Sequence, residues 1–247
     1  RTMQKPHPSP SLLILAVCLL LPAAAVEAQP ACRDAAPRSS GEFAAPGPHP
    51  VGQRTVAYVD ASRATMPNGS FPGAPERTLV TEIWYPAVSA GRDTALDATG
   101  APHPVVIHSH GFLDSRLGET YLTRHLASHG YVVAAIDYPL TRGGAPGGAN
   151  PADVDQQPGD WSFVLDRLLE DFAGVVDPQR VGASGLSLGG LTTYLVTYHA
   201  TLRDPRIRAA ATQAGRSCLF ERSFYDGADV PLLVVYGDSD QLLPYPR

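Results

Sequence analysis

Arg180-Val181-Gly182-Ala183-Ser184-Gly185-Leu186-Ser187-Leu188-Gly189-Gly190 is the stretch on which the fold turns. Within it, Gly185-Leu186-Ser187-Leu188-Gly189 matches G-x-S-x-G, a sharp strand-to-helix turn that holds a serine hydroxyl clear of the sheet edge. The glycines are needed because the serine backbone is strained and its neighbours approach closely, leaving no room for a Cβ. Ser184 is a decoy, since starting the pattern at Gly182 puts Leu186 where the last glycine belongs. Ser187 is therefore the candidate nucleophile. The short run Arg180 to Ala183 reads as the strand before the turn, and Leu188 to Thr201 as the helix after it.

Outward from this turn, short apolar runs alternate with helix-length segments. The runs are Val105-Val106-Ile107, Tyr131 to Ile136, Arg180 to Ala183, Ile207 to Ala211 and Leu232 to Tyr236. Runs this apolar suit strands buried on both faces of a parallel sheet. Trp161, Val164, Leu165, Leu168, Leu169 and Phe172 form one stripe of a helix opening after Asp160. Another helix fits Arg116 to His129. Val51 to Val59 and Thr78 to Tyr85 suggest an antiparallel opening pair, with turn chemistry at Pro67-Asn68-Gly69 and Phe71-Pro72-Gly73. The alternation implies one α/β layered domain with a mostly parallel sheet and helices on both faces.

Two other strand ends carry chemistry. Val105-Val106-Ile107-His108-Ser109-His110-Gly111-Phe112 is a buried strand ending in His-Gly. A serine on such a turn takes one oxyanion donor from this kind of loop and the other from the residue after the nucleophile. The donors are thus assigned to the backbone N–H groups of Phe112 and Leu188, each worth about 3 kcal/mol in the transition state. Gly111 lets the loop pass close to substrate, and His110 is expected to orient the loop rather than act as a base. Leu232 to Tyr236 runs into Gly237-Asp238-Ser239-Asp240. A carboxylate there can fix the tautomer of a histidine, with Asp240 the first choice and Asp238 the second. Asp137 precedes the serine and is expected to tie a loop.

These residues resemble the α/β-hydrolase superfamily, and within it the platelet-activating-factor acetylhydrolase-like and dienelactone-hydrolase-like branch. The resemblance rests on Arg77-Thr78-Leu79, Glu82-Ile83-Trp84-Tyr85-Pro86, Ser109-His110-Gly111-Phe112, Leu126 to Ala134 and Gly185 to Gly190. It covers Val51 to the end and implies hydrolysis of a carboxylic ester through an acyl-serine intermediate, with no metal and no organic cofactor. The family's base is a histidine after the acid, yet all eight histidines precede Asp240. His199 falls in the helix after the turn and should face away from Ser187. A serine without a base is a weak nucleophile. Two explanations compete: a hydrolase cut short at its C-terminus, lacking its last strand and helix, or a non-catalytic binding protein of the same fold. On the first, this 247-residue chain is expected to be inactive and poorly soluble. A serine peptidase is a further rival within catalysis.

The N-terminus carries its own signal. Lys5 precedes the apolar run Ser11 to Leu21, and small residues follow to Ala28, the pattern of a secretory signal peptide cleaved after Ala28. The run is shorter than the about 20 residues needed to span a bilayer. Residues 1–28, with two residues ahead of Met3, are expected to be removed, and secretion or periplasmic export follows. Residues 29–50 read as a Pro/Ala-rich linker that packs little, and 51–247 as the domain. Cys32 and Cys218 would remain in an oxidising compartment, as a disulfide or as two thiols. No cysteine has metal-ligand spacing. The residues are 44% hydrophobic and 17% charged, against about 25% charged on average, which excludes a disordered tail. A net charge of −5 gives no reason to expect nucleic acid or an anionic membrane as partner. The expected partner is a small-molecule or lipid ester. The Gly- and Pro-rich segment Leu140 to Pro158 is expected to form a loop over the site.

Overall fold

Val132-Val133-Ala134-Ala135-Ile136-Asp137 is buried at every position, as a strand covered on both faces must be, and the sheet is arranged around it. The structure, a computed structural model, describes residues 40–243. A unit ending at Ala44 contributes only the short helix α1 (Ser40–Ala44) to the described residues, and a compact unit begins at Ala45. In the latter the order is β1 (Val51–Asp60), β2 (Arg77–Pro86), β3 (Gly91–Arg92), β4 (His103–Ser109), α2 (Thr120–Ser128) and β5 (Val132–Asp137). A 3-10 turn (Pro151–Asp155), α3 (Gln157–Asp171), β6 (Val176–Leu186), α4 (Leu188–Tyr198), β7 (Ile207–Gln213) and β8 (Leu232–Val235) follow.

The strands form one eight-stranded sheet in the order β3-β1-β2-β5-β4-β6-β7-β8. β1 and β2 are the antiparallel opening pair, in register from Val51 opposite Pro86 to Asp60 opposite Arg77. β2 joins β5 antiparallel, and from β5 to β8 all pairs are parallel. Alternate residues of the inner strands serve different layers. Val132, Ala134 and Ile136 join the main core with Leu79, Ile83 and the α3 side chains, while Ala135 joins Trp84 and Ala127 of α2. Hence α2 covers one face and α3 the other. The apolar stripe of α3 is buried as its spacing implies, with Val164, Leu165 and Leu168 fully enclosed. Each such side chain contributes about 1.5–3 kcal/mol.

Two helix starts differ from the sequence expectation, for polar reasons, and α4 ends at Tyr198 rather than Thr201. α3 opens at Gln157, with Pro158 in its first turn, a position that needs no backbone donor. Asp160 thus lies inside the helix, where it is buried against arginines rather than capping it. α2 starts at Thr120 rather than Arg116. Asp137, at the end of β5, holds the Arg116 N–H (2.6 Å) and guanidinium (2.5 Å) and keeps that residue in the preceding turn.

The last residues of the segment read as a linker are docked. Gly47 N–H donates to Ser128 Oγ (2.8 Å) and His49 N–H to the Ser128 carbonyl (3.1 Å). A Cβ on Gly47 would lie 2.1 Å from that carbonyl oxygen, so only glycine allows the approach. The signal-like segment, Cys32 and the rest of 29–39 lie outside the described residues. Among the described residues no helix is long and apolar enough to cross a membrane.

Candidate active site

β6 ends at Leu186 and α4 begins at Leu188, so the whole change of direction falls on Ser187, with φ 54° and ψ −112°. A positive φ is rare for a residue with a side chain and costs about 1–3 kcal/mol unless its surroundings impose it. Here they do. Ser187 N–H donates to the Gln213 carbonyl at the end of β7 (2.8 Å). A Cβ on Gly185 would meet the Gly189 carbonyl at 2.2 Å, and one on Gly189 the Ser109 carbonyl at 1.9 Å. The two motif glycines let β4, β6 and α4 converge beneath the serine. The Ser187 hydroxyl has no hydrogen-bond partner among the described residues and is partly exposed.

Beside it runs the His110-Gly111-Phe112 loop. A Cβ on Gly111 would stand 3.6 Å from the Ser187 Cβ, so the loop passes directly against the serine. His110 is buried, with Nδ1 2.7 Å from the Gly111 carbonyl and Nε2 accepting the Tyr138 N–H at 3.3 Å. Both ring nitrogens are therefore engaged, with the proton on Nδ1. Burial holds its pKa below the ordinary imidazole value and keeps the ring neutral. The loop is anchored further on. Leu113, at φ 68°, donates its N–H to the Thr141 carbonyl (2.9 Å). Gln157 Nε2 donates to Thr141 Oγ1 (2.8 Å), and Thr192 Oγ1 of α4 donates to Gln157 Oε1. Gln157 thus brackets the loop to the helix that carries Ser187. Among the described residues, neither the Phe112 N–H nor the Leu188 N–H finds an acceptor within the protein.

Asp240 and Asp238 follow β8 at the same end of the parallel strands as Ser187. Asp240 is half-buried and its Oδ1 accepts the N–H groups of Leu242 and Leu243, both at 2.9 Å. Asp238 is exposed and is touched by the Ser239 hydroxyl at 3.2 Å. Leu243 also lines the cleft over Ser187, which brings the Asp240 turn to its rim.

No described histidine hydrogen-bonds to Ser187, and His7 lies outside the described residues. His199 caps the C-terminus of α4, whose 11 residues put it roughly 18 Å along the helix from the serine. Its Nδ1 accepts the Thr201 and Leu202 N–H groups. His108 is buried, with Nδ1 2.9 Å from Ser184 Oγ and Nε2 2.6 Å from Glu119 Oε2 at a poor hydrogen-bonding angle. His103 spans the Gly130 and Asp97 carbonyls at the start of β4, the end of the parallel strands opposite to Ser187.

Phe112, Pro151, Ser187, Leu188, Leu191, Arg216, Leu219 and Leu243 enclose a cleft of about 280 Å³. That is just under the roughly 300–1,000 Å³ of ordinary small-ligand sites. Pro151 comes from the 3-10 turn inside Leu140 to Pro158, so part of that segment does border the site. Leu191, Arg216, Leu219 and Leu243 are absent from the sequence reading. Only Arg216 had a usable signal, three residues beyond a parallel strand, at the edge where ligands collect. Among the described residues no group of three or more His, Cys, Asp or Glu could hold a metal ion. Cys218 is an exposed free thiol.

A model of the family described as PETase, PET hydrolase-like, matches residues 26–246. Among solved structures, the ferulic acid esterase from Streptomyces cinnamoneus superposes with a TM-score of 0.64 at 28% identity. The match covers 78% of this chain and 66% of that one, so the chain spans just under two thirds of the esterase's length. No curated protein matches the chain.

Proposed function

The chain belongs to the PET hydrolase-like family of the α/β-hydrolase superfamily, and we propose that it is a serine hydrolase of carboxylic esters, exported by its N-terminal segment. One observation carries the reading: Ser187 stands at a positive φ at the head of α4, flanked by two backbone N–H groups without internal acceptors. Ser187 Oγ attacks the ester carbonyl carbon. The oxyanion that forms is held by Phe112 N–H and Leu188 N–H, where each donor lowers the barrier by about 3 kcal/mol. Collapse expels the alcohol and leaves an acyl-serine, which water then hydrolyses. The small apolar cleft suits one acyl or aryl group, as in a short ester, a lactone, a lipid or a polyester chain end.

The proton of Ser187 needs an acceptor, and the described residues do not supply one. His110 cannot serve without breaking the hydrogen bonds that shape the oxyanion loop. We assign the acceptor role to a histidine oriented by Asp240, placed by a segment other than residues 40–243. A non-catalytic binding protein of the same fold would also show no base near Ser187 among the described residues, and it is the second reading. Imidazole in solution separates the two readings. With p-nitrophenyl butyrate, the 247-residue chain should stay close to the Ser187→Ala background. Added imidazole should then produce saturable, Ser187-dependent hydrolysis. If imidazole accelerates both proteins equally, the serine is not a nucleophile and the binding reading replaces this one. Export is proposed from the N-terminal segment, and a mature protein beginning at Gln29 is the expected product on N-terminal sequencing.

A further inference from the structure

Apart from Ser187, the lining of the cleft is apolar except for one residue, Arg216. Arg63, Arg77, Arg92, Arg116 and Arg206 each hold a carboxylate. Arg216 is exposed and has no hydrogen bond or ion pair among the described residues. Its backbone is nonetheless held firmly. Ser187 N–H binds the Gln213 carbonyl, and Ala214 N–H, at φ 48°, binds the Val235 carbonyl (2.8 Å). Ser217 N–H binds the Tyr236 hydroxyl (3.2 Å), and Gly215 packs so tightly that a Cβ on Gly190 would come within 2.7 Å of its Cα. The segment that positions the nucleophile therefore also carries Arg216 to the cleft lining.

We propose that Arg216 is a specificity-determining residue, and that the preferred substrate is the half-ester of a dicarboxylic acid with an apolar spacer. The proposal rests on Ser187 being the ester-attacking residue. Leu188, Leu191 and Leu219 supply surface for the spacer, while the ester carbonyl faces the Phe112 and Leu188 N–H groups. The free carboxylate at the other end meets Arg216. A guanidinium offers two parallel N–H donors that match a carboxylate's two oxygens, and a neutral ester cannot use them. The charge is unspent within the protein, so no internal ion pair has to break when substrate arrives.

Binding decides the matter without turnover. Monoethyl suberate and the uncharged diethyl suberate are titrated into the 247-residue chain, following the Phe112 and Leu188 amide resonances. The half-ester should bind about tenfold more tightly than the diester, the effect of one exposed charge-assisted pair, and the ratio should shrink at high salt. Arg216→Gln should bring the ratio near one and Arg216→Glu should invert it. Arg222→Glu, the same charge change at an exposed residue outside the cleft, should leave it unaltered. Equal binding of both esters, or a preference that survives Arg216→Gln, overturns the proposal while leaving the ester site in place. If neither ester moves the two amides, the proposal falls together with the reading of Ser187.

Discussion

Gly111 and Gly189 lie on opposite sides of Ser187 and are glycine for different reasons. At Gly189 a methyl would collide with the Ser109 carbonyl at 1.9 Å and the His110 carbonyl at 2.7 Å, both rigid backbone. At Gly111 its nearest neighbours stand at 3.6 Å, ordinary contact distance. Gly189→Ala should therefore lower stability by about 1–3 kcal/mol or more, the usual cost of overpacking, as read by urea denaturation. Gly111→Ala should leave the urea midpoint nearly unchanged. Its methyl points at the serine, however, so it should suppress Ser187-dependent ester hydrolysis in the imidazole assay. Gly189 belongs to the G-x-S-x-G turn and Gly111 to the His-Gly loop, and only the distances separate a folding constraint from a substrate constraint.

At the scale of elements, the turn bearing Pro151 and the start of α3 are tied to β2 by a buried charge cluster. Arg77, with no exposed surface, binds Asp160 (2.7 and 2.6 Å) and Asp153 (3.1 and 2.9 Å). Arg63 adds a bond to Asp160 (2.7 Å) and one to Asp60 (2.7 Å). Burial alone would lower the Arg77 pKa, but the hydrogen bonds it donates to Asp160 and Asp153 outweigh that and keep the guanidinium charged. Removing one partner of a buried pair leaves an uncompensated charge and costs about 3–5 kcal/mol. Arg77→Met should lose that much in urea denaturation. Adding Asp153→Asn should recover part of the loss, because Arg77 is that buried acid's ion-pair partner, whereas Asp160 keeps Arg63, and a neutral amide is cheaper to bury than a lone carboxylate. Arg77-Thr78-Leu79 drew notice in the sequence only through family resemblance, since an arginine at a strand start has no periodic signature. Its two acids lie 76 and 83 residues away.

For the whole molecule, the two edges of the sheet are finished differently. One ends in β3, two exposed residues that include Arg92, a short and charged edge that resists pairing with another chain. The other ends in β8, where Leu233, Val234 and Val235 are 61%, 39% and 47% exposed. An apolar strand with free backbone groups is a template for association. Leu233→Lys with Val235→Lys should lower concentration-dependent light scattering without lowering the melting temperature, because neither side chain is part of the core. A melting temperature that drops with the double substitution would mean that these residues stabilise the fold.

What the sequence determined by itself is the order of strands and helices and the position of Ser187. Both follow from local physics. Buried strands must be apolar throughout, α3 must show its stripe, and a strand-to-helix turn at positive φ requires glycine on either side. The loop beside Ser187 was legible for the same reason, as a strand ending in His-Gly. Tertiary structure alone decided which groups gather round the serine. Arg216 reaches the cleft because the backbone on either side of it is held, at Gln213 by Ser187 and at Ser217 by Tyr236. Gln157 matters because it joins Thr141 to Thr192 across 16 and 35 residues. No described histidine hydrogen-bonds to Ser187, although the loop that carries His110 passes against it at Gly111. Polar contacts between distant residues depend on where the chain returns, and no spacing within a single element records that.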